Sequence, residues 1–188
     1  MARLRGPESA GQSGGRPGFD ANALLREAFD HHIWATEQIL RLCRGLDEAQ
    51  LTAPGRATYG TILETLNHLV RADAGYIPRS LGARPGWAEE DDVVDVAELE
   101  ARAAETAERW QRLLAAPIDA SEVLLLDDGA YQALACVPIV QALHHGNAHR
   151  EQVCSLLTSL AIEPPDLQAW AWADATGRAR EREPGQRG

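Results

Sequence analysis

His145 and His149 stand four residues apart in the run Pro138 to Leu160, whose one glycine is Gly146. If the run is helical, the two rings lie one turn apart on one face. Two imidazoles so placed can share a divalent ion held from a rigid element. On spacing alone the alternative is a pair of solvated rings. Two more histidines, His32 and His68, each fall near the middle of a stretch with helical periodicity. His68, His145 and His149 can meet at similar height if their helices pack together. Three buried imidazoles without partners would be costly, and shared coordination of a metal removes that cost. His32 reads as a hydrogen-bonded core histidine, with a place beside the site as the alternative. Asp73 and Glu64 are candidates for the rim or the outer support of the site, Glu64 more simply a solvated carboxylate.

The elements that must position these residues follow from period and breakers. A first helix is expected from Asp20 to about Arg44, with Leu25, Ala28, His32, Ala35, Ile39, Leu42 and Leu46 at the 3-4 spacing of a packed seam. Asp47 to Arg56 is a connection. A second helix is expected from about Thr58 to Leu81, with Ile62, Leu66, Leu69, Ala72 and Tyr76 as its stripe. Residues 83 to 94 form a long crossing loop with an acidic run, Glu89 to Asp92, that reads as solvated. Asp95 and Glu98 suggest a capping-box start to a third helix reaching about Ala115, with Trp110 as a core filler. Glu122 to Leu126 and Tyr131 to Val137 are two short extended segments around a turn, or an irregular loop. The organising helix starts at Pro138, a good first helical residue. Pro164 and Pro165 end that region, and Asp166 to about Thr176 is a short helix that can place Trp170 and Trp172 over one end. Four amphipathic helices are most economically an all-α four-helix bundle, whose core is where such folds build metal sites.

The bundle is expected over residues 19 to 176. Residues 1 to 18, rich in Gly, Ser, Pro and Arg, read as a disordered arm, and residues 177 to 188 as a disordered charged tail. With 188 residues, one domain with a sizeable core is expected. The formal net charge of −10 argues against nucleic acid and anionic membranes as partners. No apolar run reaches the roughly 18 residues a membrane span needs. Three scattered cysteines, Cys43, Cys136 and Cys154, without a Cys-x-x-Cys pair, fit a reduced cytoplasmic protein.

Three stretches carry a resemblance. They are His31-His32-Ile33-Trp34-Ala35 followed by Ile39 and Leu40, Glu64 to Asp73 around His68, and Leu143 to Val153 followed by Pro164-Pro165-Asp166-Leu167. Together they resemble the DinB/YfiT-like family of metal-binding four-helix bundles. The third is the most specific: a His, three residues, His-Arg, and then Gln152. The resemblance implies that His68, His145 and His149 hold a divalent metal, and that the helices run up-down-down-up with a long crossover between the second and third. Glu151 replaces the family's frequent glycine but points away from the 145/149 face. His144 would replace His145 only after a register shift.

Three neutral imidazoles leave an open position on the ion, where zinc would activate water or bind a thiolate. Zinc and nickel both suit imidazole. The resemblance implies, for some members, a transferase or isomerase that uses a low-molecular-weight thiol. The expected function is therefore metal-dependent thiol S-transfer on a small molecule. Metal-dependent hydrolysis is the alternative, and so is a non-catalytic, stress-related metal-binding or dimerising bundle. A homodimer is left open. A zincin protease is disfavoured, because Gly146 stands where the glutamate of His-Glu-x-x-His would be.

Overall fold

Three helices begin where a side-chain oxygen meets the first free backbone N–H groups. Asp47 accepts from the Gln50 N–H at 2.8 Å, Thr61 from the Glu64 N–H at 3.2 Å, and Asp95 from the Ala97 N–H at 2.8 Å. The computed structural model describes residues 22–55, 60–77, 85–90, 95–126 and 129–181. Its elements are α1 (Ala23–Cys43), α2 (Glu48–Leu51), α3 (Ile62–Gly75), a 3-10 turn (Gly86–Glu89), α4 (Val96–Ala115), β1 (Val123–Leu126), β2 (Tyr131–Leu134), α5 (Cys136–Ser159) and α6 (Ala169–Ala175). The chain is mostly helical, and α1, α3, α4 and α5 pack as in a bundle, α1 and α3 each against both α4 and α5.

Several expectations need correction. The second helix does not begin at Thr58. It begins at Ile62, because Gly60 takes a positive φ of 87° and Thr61 and Glu64 close a reciprocal capping box. Glu64 therefore serves the helix end and not the site. Asp47 and Gln50 make a second such box, which starts α2 inside a stretch expected to be a plain connection. Asp95 caps α4, but Glu98 pairs with Arg102 instead of completing a box. Pro138 lies in the first turn of α5 but is not its first residue. The segment before α5 is an antiparallel hairpin, with Val123 opposite Leu134 and Leu126 opposite Tyr131. Trp172 packs edge-on against His31 at 5.6 Å, whereas Trp170 is 76% exposed. The second helix ends at Gly75, capped at Tyr76, well short of the expected Leu81. The expected arm and the tail beyond residue 181 lie outside the described residues.

The core has two apolar halves. One gathers Ile39, Leu40, Leu66, Leu69, Leu99, Val153 and Leu157. The other gathers Phe29, Ile77, Trp110, Leu114, Ile139 and Ala142. Between them in sequence on every long helix come polar residues: His32 and Thr36 on α1, Asp73 on α3, Thr106 on α4, and His149 and Arg150 on α5. All except Asp73 are buried, and Asp73 keeps 15% of its side-chain surface. Helix ends meet in a fixed pattern. Asn22, before α1, donates to the Ala116 carbonyl just past α4 at 2.6 Å. Arg44, past α1, reaches Glu100 near the start of α4 at 3.0 Å. Among the described residues no helix is long and apolar enough to cross a membrane.

Gly146 lets α1 and α5 approach inside this polar layer. A Cβ there would overlap His32 Cε1 and lie 2.8 Å from its Nδ1. Gly146→Ala is expected to destabilise the fold by about 1–3 kcal/mol, the usual cost of overpacking a core. Chemical denaturation of the purified variant checks this, with unchanged stability as the contrary result.

Candidate metal centre

His68 comes from the middle of α3, and His145 and His149 from successive turns of α5. Each offers one ring nitrogen, and these three atoms lie within 4.8 Å of one another. The Nε2 atoms of His68 and His145 are 2.9 Å apart. The ring centroids of His145 and His149 are 4.1 Å apart, and those of His68 and His149 are 4.6 Å apart. Two facing Nε2 atoms at that distance share at most one proton. The arrangement suits lone pairs converging on a cation better than three separate N–H donors. Among the described residues this is the one group of three or more His, Cys, Asp or Glu side chains able to hold a metal ion.

The electrostatics favour neutral rings at His68 and His145. Burial, then the neighbouring His149 and Arg71, pull the His68 pKa below its ordinary 6.5. Burial, with His149 and His68 close by, pulls His145 from 6.5 down to about 4. Neutral imidazole is the form that ligates a metal. His149 is buried, and its Nδ1 lies 2.8 Å from Gln152 Oε1. With the amide oxygen as acceptor, Nδ1 carries the hydrogen and Nε2 keeps its lone pair. Gln152 sits three residues on from His149, close enough on the helix to reach back. It belongs to the most specific sequence element, yet its role was not read there; the signal was a Gln at i+3 from a candidate ligand.

The remaining candidates divide cleanly. His144 is exposed and outside the cluster. His32 is 1% exposed and also outside it, on the α1 side of α5. Its Nδ1 lies 3.3 Å from Arg150 Nη1. Arg150, itself 3% exposed, also donates to Thr36 Oγ1 at 3.0 Å and to the His32 carbonyl at 3.4 Å. Burial lowers the Arg150 pKa to about 10. His32 is thus the core histidine expected of it, although its Nε2 has no hydrogen-bond partner. Asp73 is partly buried in the polar layer: its Oδ1 accepts from Trp110 Nε1 at 3.1 Å and stands 3.3 Å from His32 Nε2. Trp110 fills the core as expected and also carries that bond.

Comparison with known proteins gives one family. The family model that matches is that of the DinB family, over residues 19–184. No curated protein matches the chain.

Two outcomes follow from this geometry. Gln152→Ala is expected to weaken metal binding by about 10–100-fold, the usual effect of removing a ligand's outer hydrogen bond. Competition with a chromophoric chelator measures it. The second outcome concerns pH. Because the folded pKa of His145 is depressed, the unfolded chain takes up the proton first as pH falls. The stabilisation is complete above 6.5 and is lost as pH drops from 6.5 towards about 4. Melting of chelator-treated protein across that range should show the slope, and His145→Asn should flatten it.

Proposed function

The chain belongs to the DinB family, and on that premise we propose that His68, His145 and His149 bind a divalent ion, zinc or nickel, for thiol S-transfer to a small molecule. The observation that carries the reading is the convergence of three ring nitrogens within 4.8 Å from two helices. The donor set fits: all are imidazoles, two are held neutral, and the third has its tautomer set by Gln152. Three protein ligands leave a coordination position open, as in catalytic and unlike closed structural sites. Bound there, the metal supplies Lewis acidity and stabilises a thiolate or hydroxide near neutral pH.

The chain's own residues do the rest. The histidines orient the open position, and Gln152 keeps the Nδ1 proton of His149 away from it. Tyr76, whose ring centroid is 5.3 Å from that of His145, and Gln141, which donates to the Tyr76 hydroxyl at 3.4 Å, offer polar groups on the Tyr76 side of His145. A thiol co-substrate would lose its proton to solvent and attack an electrophilic carbon, forming a C–S bond while either the bond to the leaving group breaks and that group departs with its electron pair, or a double bond takes up the pair and then a proton from solvent.

The wider reading has four further parts. The helix order up-down-down-up is supported by the end-to-start bonds of α1 with α4 and by the pairing of Tyr76 with Gln141 and His68 with His145. The bundle domain spans 19–176 between an arm and a tail. A reducing, cytoplasmic setting accords with three free cysteines, Cys43, Cys136 and Cys154. Its partners are a small-molecule substrate and, as an option, a second copy of the chain, not nucleic acid or membrane.

Metal content and affinity across five single variants test the ligand set. Replacing His68, His145 or His149 by Ala should cost far more affinity than the roughly 10–100-fold of an outer-sphere change, whereas His32→Ala and His144→Ala should stay within it. Retained affinity in His68→Ala with loss in His144→Ala would overturn the assignment. For the chemistry, a cobalt-loaded form should change its visible absorption when low-molecular-weight thiols are added. A flat response, with no thiol-dependent turnover of an electrophile panel, would favour hydrolysis or a binding role.

A further inference from the structure

Six of the eight large apolar side chains left exposed among the described residues lie between Val123 and Val140. Strand pairing assigns those of the hairpin to its faces, since directly opposed residues point the same way. Val123 stands opposite Leu134, and Leu125, two residues on from Val123, shares its side. Leu124 points the other way and is 3% exposed. One face of the hairpin is therefore turned inward, and Val123, Leu125 and Leu134 make the outer one. Val137 follows Leu134 by three residues, a reach of at most about 11 Å. Val140 is its neighbour three residues along α5. These five side chains are between 45% and 67% exposed. At roughly 90 Å² each they leave about 450 Å² of apolar surface in water, enough to mark an interaction site. A standard interface covers about 800 Å² per partner, about 56–65% of it apolar, which is about 450–520 Å².

We propose that the outer face of the β1–β2 hairpin, with Val137 and Val140 of α5, is the interface between two copies of this chain. This locates the second copy left optional above and does not depend on the metal reading. Charge selects the occupant. From Gly129 to His149 the sequence holds no Asp, Glu, Lys or Arg, its longest such run. A chain of net charge −10 repels its own copies over most of its surface. The five side chains set no charge against charge. The same −10 opposes an anionic bilayer, and a basic partner would find no carboxylate among the five. Shared between two copies, the patch is its own complement: every side chain is used twice about a two-fold axis. Two such faces in contact also support a hairpin that a lone pair of strands holds only marginally in water.

Sedimentation velocity of the full chain, up to about 100 μM, should show a dimer, because interfaces of this size reach micromolar Kd or tighter. Leu125→Glu and Val140→Glu each place two carboxylates in the contact, one from each copy. Either should weaken association by about 100-fold or more and leave monomer. Both positions are more than 60% exposed in the single chain, so the far-ultraviolet circular dichroism should not change. Trp170→Glu, at an exposed apolar side chain outside the patch, should remain dimeric. If Leu125→Glu disturbs the hairpin, Val140→Glu on the helix decides, with monomer in favour and dimer against. A wild-type dimer that survives both patch substitutions, or that Trp170→Glu also dissociates, overturns this surface and leaves the second copy to be placed elsewhere. A wild-type monomer overturns the second copy as well, and if that monomer floats with phosphatidylcholine vesicles the patch belongs to lipid. Zinc uptake by the histidine variants is read separately, so failure of the metal reading and failure of this proposal are distinguishable.

Discussion

The guanidinium of Arg150, with 3% of the residue exposed, is the most demanding group among the described residues. A buried charge is tolerated only when its donors are used and an opposite charge is close, and removing one partner typically costs about 3–5 kcal/mol. Thr36, the His32 carbonyl and the His32 ring meet Arg150 from α1, and Asp73 on α3 balances it through His32. Those contacts hold only in one register of α1 against α5. Gly146 sits where that register brings the helices closest. Apolar packing alone would tolerate sliding along the seam. The arginine does not.

The same constraint fixes the histidines. His149 and Arg150 are adjacent on α5 and face different neighbours, α3 and α1. Holding Arg150 between Thr36 and His32 therefore turns His149 towards His68. The cluster is presented by a layer that lies between two apolar halves, one around Leu66 and Leu157, the other around Phe29 and Trp110. Rigid packing on both sides limits the side-chain motion that would otherwise blur a three-nitrogen site.

Much of this was legible in the sequence, and what was missed has specific physical causes. Helical period and breakers place all four long helices, and the four-residue spacing of His145 and His149 puts them on one face before any fold is known. The start of α3 was misplaced because Thr61-Ile62-Leu63-Glu64 was not read as a capping box, although the pattern is a standard one. Arg150 was invisible as a core residue, since arginine is rarely buried and only its partners on another helix reveal why it is here. Gly146 likewise looks like a weak point in a helix until His32 is seen against it. For Asp73 the sequence leaves the rim and the outer support of the site both open, because spacing alone cannot show that Trp110, 37 residues away, turns its indole N–H to it.

His68 and His145 are 77 residues apart in the chain. An ion shared between them would be a reversible cross-link closing a long loop, similar in kind to a disulfide but made and broken by ligand exchange. Such a clasp acts on the denatured ensemble as well as on the native one, since closing a loop of that length removes much chain entropy. α3 and α5 would then open together or not at all. Backbone amides along their shared seam would exchange slowly with solvent while the clasp is closed, and the α1–α4 side would become the looser half of the molecule.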